Sequence, residues 1–191
     1  ETFNMISIDR DTSTNDSLIV LANGLAENNT ITEKNEDYEI FVKALNYVTK
    51  TLAKMMAGDG EGATKLLEVT VQGASTKEQA VILSKSIITS SLVKTAVFGN
   101  DANWGRILCA MGYAGVDFDP EAVDLYIQSV EGKLKLVENG IATDYSEEIA
   151  TKILSAKEVC ALADIMGKES ATAWGCDFTY DYVKINADYR S

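Results

Sequence analysis

An α+β fold is what this chain predicts, on three observations. Helix-like three- and four-residue spacing and strand-like alternation are mixed along it, and several strands follow one another directly. The only proline is Pro120, and no Gly/Ser tract, charge block or internal repeat marks a linker. Strands adjacent in sequence favour layered α+β packing over a doubly wound parallel sheet. With 191 residues, 46% hydrophobic, the chain is large and apolar enough for one core, so residues 1–191 read as a single domain.

Residues 2–8 alternate and predict a strand, and residues 9–16 a polar turn. The apolar run 17–22, ended by Asn23-Gly24, predicts a short buried strand. Asn35 is placed to cap a helix, with Glu36 and Asp37 complementing its dipole. Tyr38, Phe41, Val42, Leu45, Val48, Leu52, Met55 and Met56 then give one apolar face, and the glycines at 58–62 end it. Residues 65–72 predict a strand with Leu67, Val69 and Val71 on one side. Ser75 and Glu78 have the spacing of a capping box for a helix to about Thr89. Residues 93–98 predict another apolar strand, and a helix follows around 107–113. Asp119-Pro120 opens a short helical turn, with proline at its favoured first position. Residues 125–130 and 133–137 predict strands joined at Glu131-Gly132, with a further turn at Asn139-Gly140. Asp144 and Glu147 are placed to cap a further helix to about Leu154. Strands are expected near 159–166 and 182–187.

Composition excludes several functions. Lys and Arg number 17 against 29 Asp and Glu, and the net charge of −12 opposes nucleic acid as a partner. No apolar run reaches the roughly 20 residues of a membrane span, and the N-terminus lacks the form of a signal peptide. Histidine is absent, which removes a Ser-His-Asp triad within this chain and most zinc sites. Cys109, Cys160 and Cys176 are odd in number with no C-x-x-C pairing, and read as reduced thiols of a cytoplasmic protein. Chemistry must therefore come from carboxylates, amides, hydroxyls, lysines or another chain.

Four clusters stand out. Asp9, Asp11 and Ser13 imitate the first ligands of an EF-hand. Thr14 replaces its glycine and Val20 its bidentate glutamate, so a hydrogen-bonded turn is the better reading. Gly58, Gly60 and Ala63 fit a loose G-x-G-x-x-[GA] pattern, but follow a helix and precede a strand. A phosphate loop needs the reverse order. Two readings of this loop stay open: a helix-ending connection, or a site in which a ligand reaches the Glu61 carboxylate between side-chain-free glycines. In the third cluster, 98–106, Asp101 or Asn103 could cap a helix, Trp104 could bury its ring, and Arg106 could pair with Asp101. The fourth, 173–191, carries aromatic residues and alternation almost to its end, which predicts a docked terminus that completes a sheet.

Asp11-Thr-Ser-Thr-Asn-Asp16, Asp59-Gly-Glu-Gly-Ala-Thr-Lys65, Asn103-Trp-Gly-Arg106 and Asn186-Ala-Asp-Tyr-Arg190, in this order, resemble the β chain of the ornithine acetyltransferase family. These enzymes are also called bifunctional glutamate N-acetyltransferases of arginine biosynthesis. The resemblance spans essentially the whole chain; one departure is Arg10, where the family usually has glycine. It implies an α/β/β/α sandwich of the N-terminal-nucleophile-like kind, with its own connectivity and an α chain from the same self-cleaving precursor, in an α2β2 assembly. It implies acetyl transfer from N-acetylornithine to glutamate through an acyl-threonine, with acetyl-CoA a possible second donor and no cofactor or metal. The family's β chain begins with that threonine, upstream of the Thr2-Phe-Asn4 segment, so no catalytic nucleophile is expected among these residues. Carried over position by position, Glu61, Asn186 and Ser191 match the substrate contacts. A related acyltransferase with another donor or acceptor, and a non-catalytic binding module, are the alternatives.

Overall fold

Residues 2–189 are described by the computed structural model. A 3-10 turn at Phe3–Met5 leads into β1 (Ile6–Ser7), and after a long connection come α1 (Glu36–Gly58), β2 (Leu66–Ala74), α2 (Lys77–Ile88), α3 (Ser91–Phe98) and α4 (Trp104–Gly112). A second 3-10 turn, Pro120–Ala122, precedes β3 (Asp124–Ser129), β4 (Gly132–Glu138) and β5 (Ile141–Ala142). The chain ends with α5 (Glu147–Leu154), β6 (Glu158–Asp164), β7 (Glu169–Cys176) and α6 (Tyr180–Asp188). The predicted α+β class holds.

The strands form one mixed sheet in the order β1-β7-β2-β6-β3-β4-β5. β2 lies parallel to β6 and antiparallel to β7, so both its edges are hydrogen-bonded. Its alternation sorts the two faces. Leu67, Val69 and Val71 are fully buried under α2, α3, α4 and α5, together with Leu83, Ile88, Val93, Val97, Ile107, Met111 and Leu154. Glu68 points the other way, toward α1, where its carboxylate accepts the Trp174 indole N–H at 2.8 Å and pairs with Lys54 at 3.0 Å. Among the described residues there is one sheet, so the second sheet of the expected sandwich is not formed by them.

Helix α1 starts as expected: Asn35 Oδ1 accepts the Tyr38 N–H at 3.0 Å. Its burial differs. The small residues Ala53 and Ala57 are the ones that lie fully buried, while Phe41, Leu45, Val48, Leu52, Met55 and Met56 stay exposed. The apolar ridge that made the helix legible thus has no cover among the described residues. A contiguous exposed patch of this kind marks an interaction surface.

Several expected elements are corrected. Residues 17–22 are exposed and form no strand; Leu21 is 90% exposed. An apolar run becomes a strand only where a neighbour completes its hydrogen-bond ladder. Residues 93–98 are helix α3, capped by Ser90 Oγ accepting the Val93 N–H. Val93, Lys94, Ala96 and Val97 are its buried residues, a helical spacing that a short β-branched run conceals. Residues 182–187 belong to helix α6, capped by Thr179. Only Ile6–Ser7 of the expected 2–8 strand is extended. The caps of α2 and α5 are Thr76 and Ser146 rather than Ser75 and Asp144. Strand β7 is not expected as a unit because its Ser, Ala and Gly residues have weak strand preference. Burial between two neighbours makes it a strand.

Gly140 shows how tightly the β4–β5 turn is built. Its φ is +75°, its N–H donates to Val123 O at 2.9 Å, and an added Cβ would lie 2.4 Å from Pro120 O. Gly140→Ala is expected to destabilise the protein by about 1–3 kcal/mol, from left-handed backbone and backbone contact together. Thermal unfolding of the full-length variant checks this, and an unchanged midpoint refutes it.

Candidate functional site

The loop between α1 and β2 carries Glu61. Helix α1 stops where the Asp59 N–H is shared between Met55 O and Met56 O. The chain then turns through Gly62 at φ +65°, where an added Cβ would lie 2.6 Å from Tyr182 N. Helix α6 therefore sits directly against this loop, and only glycine admits it there. The Thr179 hydroxyl, which also caps α6, donates to Gly62 O at 2.7 Å.

Asp177, 2% exposed, holds the far side of the loop. Its Oδ1 accepts the N–H groups of Thr64 at 2.8 Å and Lys65 at 3.0 Å, and its Oδ2 accepts the Thr64 hydroxyl. With the loop seated, Asn186 Nδ2 donates to Glu61 Oε2 at 2.7 Å and to Tyr182 O at 2.9 Å. Residues 125 positions apart thus form one exposed carboxylate–amide pair. The Tyr182 hydroxyl donates to Asp9 Oδ2 at 2.8 Å, tying the turn after β1 to the same helix. Burial and the Asp9 carboxylate push this phenol up to about 12, so it stays a donor across the physiological range.

Of the expected site residues, Glu61 and Asn186 are brought together, and Ser191 lies outside the described residues. Sequence reasoning missed Asp177, Thr179 and Tyr182. They lie in the tail cluster, but the strand expected over 182–187 takes in Tyr182 alone and leaves Asp177 and Thr179 in a connection. The first cluster is the expected hydrogen-bonded turn, with Asp9 Oδ1 accepting Asp11 N–H at 2.9 Å and Ser13 Oγ accepting Asn15 N–H at 3.0 Å. Arg10 adopts φ 81°, the conformation that glycine provides without strain, and its Nε donates to Thr89 O at 2.9 Å. In the third cluster Asn103 caps α4 by accepting Arg106 N–H at 3.2 Å. Arg106 donates to Leu92 O at 2.8 Å, on α3, instead of pairing with Asp101. Among the described residues no group of three or more Cys, Asp or Glu side chains is arranged to hold a metal. No single described helix is long and apolar enough to cross a membrane.

One mixed sheet with α2 to α5 on one face and α1 on the other, and a carboxylate–amide pair at its glycine loop, define a layered α+β protein of the N-terminal-nucleophile-like kind. The chain belongs to the ArgJ family, whose pattern matches residues 1–191. It is 53% identical to the arginine biosynthesis bifunctional protein ArgJ of Caldanaerobacter subterraneus subsp. tengcongensis, over 100% of this chain and 47% of that protein. It is 50% identical to the glutamate N-acetyltransferase of Methanocaldococcus jannaschii, over 100% of this chain and 48% of that protein. The crystal structure of the arginine biosynthesis bifunctional protein ArgJ from Bacillus halodurans superposes with a TM-score of 0.93 at 48% identity, covering 99% of this chain and 88% of that one. The chain spans about half the length of the curated relatives it matches.

Proposed function

We propose that this chain is the β portion of an acetyltransferase that moves an acetyl group from N-acetylornithine to glutamate in arginine biosynthesis. The observation that carries the reading is the Glu61–Asn186 pair, 2.7 Å apart at the family's glycine loop. The Glu61 carboxylate suits the substrate's ammonium group or a proton in transit. Both hydrogens of the Asn186 amide are donated, so its carbonyl oxygen remains to accept from a substrate N–H. Ser191 is the third proposed substrate contact, and acetyl-CoA is a second possible donor.

The threonine nucleophile lies outside these residues in this reading. Its hydroxyl attacks the acetyl carbonyl, the C–N bond breaks, and ornithine leaves with the proton. The glutamate amine then attacks the ester, releasing N-acetylglutamate and restoring the hydroxyl. An N-terminal threonine can use its own α-amine as base, so the cycle needs neither histidine nor a resident metal or cofactor. An α chain from the same precursor covers the α1 ridge and completes an α2β2 enzyme of the cytoplasm. The half-length coverage of the relatives and the uncovered apolar ridge support a partner chain.

The test is acetyl transfer from N-acetylornithine to glutamate by the full-length protein and by these 191 residues alone. Turnover is expected from the first, and a rate lower by about four to six orders of magnitude from the second. Comparable turnover by the 191-residue chain would overturn the placement of the nucleophile. Absence of transfer by the full-length protein would overturn the activity.

A further inference from the structure

Lys94 is the group that the proposed chemistry leaves unused. It lies on α3, touches neither Glu61 nor Asn186 by any hydrogen bond, and is 2% exposed among Val93, Ala96 and Val97. Burying an ammonium is costly unless its hydrogens are well placed. Its contacts converge on one short stretch of chain. Nζ donates to Cys176 O and lies 3.7 Å from Cys176 Sγ. It stands 5.9 Å from the centre of the Phe178 ring. The Lys94 carbonyl accepts the Phe178 N–H at 3.3 Å. One residue thus grips both sides of Asp177.

What Lys94 grips is the hinge of the site. Asp177 binds the outgoing end of the glycine loop at Thr64 and Lys65, and Thr179 binds Gly62 O and starts the helix that carries Asn186. Lys65 returns to α3 from the loop side, its Nζ donating to Val97 O at 2.7 Å and to Asn100 Oδ1. Loop and helix therefore share one support. Burial lowers the affinity of the Lys94 amine for its proton, while Cys176, Asp177 and Asp9 act to restore it.

We propose that Lys94 is a positioning residue for the substrate-binding pair: by pinning residues 176–178 to α3, it sets the separation of Glu61 from Asn186. The inference rests on the reading of that pair as the substrate contact. A lysine that merely filled the core would be replaceable by methionine, which fills the same space without the charge.

The experiment compares full-length Lys94→Met, Glu61→Gln and the double variant, with Ile153→Val, a buried residue of α5, as a core control outside the loop and its helix. Lys94→Met is expected to raise the apparent KM for glutamate about tenfold, with kcat changed less than about threefold, and the double variant to be no worse than Glu61→Gln alone. Ile153→Val should leave both parameters in place. A crystal structure of full-length Lys94→Met should show the Asn186–Glu61 hydrogen bond opened beyond about 3.5 Å. Effects that multiply in the double variant, or the pair still in contact in that crystal, overturn the proposal. Should Lys94→Met not fold, Lys94→Gln, which keeps a donor for Cys176 O, carries the same measurements with smaller effects expected in the same directions. Silence of Glu61→Gln alone removes the pair from the substrate site, whereas the crystal distance still decides what Lys94 positions.

Discussion

Glu61→Gln in the full-length protein is expected to lower kcat/KM for acetyl transfer by about 10–100-fold, the equivalent of losing a charge-assisted contact of about 1.5–3 kcal/mol. Glutamine is the informative replacement, because its carbonyl oxygen can still accept the Asn186 amide and only the charge is removed. Both partners are exposed, so the fold should tolerate the change. The parameter that moves identifies the role. A carboxylate that holds an ammonium group shows its loss in KM, and one that moves a proton shows it in kcat. Steady-state kinetics of both half-reactions, with N-acetylornithine and then glutamate varied, separate the two. Unchanged kinetics in both would return the loop to a connection that ends α1.

Asp177→Ala is expected to destabilise the full-length protein by about 3–5 kcal/mol, the range for breaking a buried charge network from one side. Alanine removes the acceptor of the Thr64 and Lys65 N–H groups. It also takes the nearby negative charge from Lys65 and Lys94, both buried. Asp177→Asn keeps one acceptor oxygen and should fall between the two. Denaturant unfolding of the three proteins side by side gives the order, and an alanine variant as stable as the parent contradicts this account of the loop. The same substitution should free Glu61 from Asn186, so activity is expected to fall at temperatures where the variant is still folded.

Much of the fold was legible because local rules and burial agree. Asn35, the acidic first turn and the regular apolar spacing mark α1, although that spacing says nothing about which side of the helix meets the sheet. Leu67, Val69 and Val71 mark β2, since a strand covered on one face must alternate. Asp119-Pro120 and Glu131-Gly132 mark turns through backbone preferences that act within four residues. The glycine-framed Glu61 and the distant Asn186 were both named from motifs of their own. Nothing local joined them.

What the amino-acid sequence determined by itself is therefore short-range: composition, caps, turns, periodicity and the motifs that carry the family resemblance. Tertiary structure decided the rest. It made residues 93–98 a helix, because α3 buries a helical set of side chains that a short apolar run presents equally well to a strand. Residues 17–22 remain without a ladder because no neighbouring strand among the described residues offers one. Strand β7 arises from weakly strand-forming residues because β1 and β2 hydrogen-bond it on both sides. Only the folded chain sets the Lys94 side chain against the Cys176 carbonyl, 82 residues away, and Asn186 against Glu61. Those contacts depend on where packing brings separated segments of backbone, and side-chain spacing along the chain does not encode that distance.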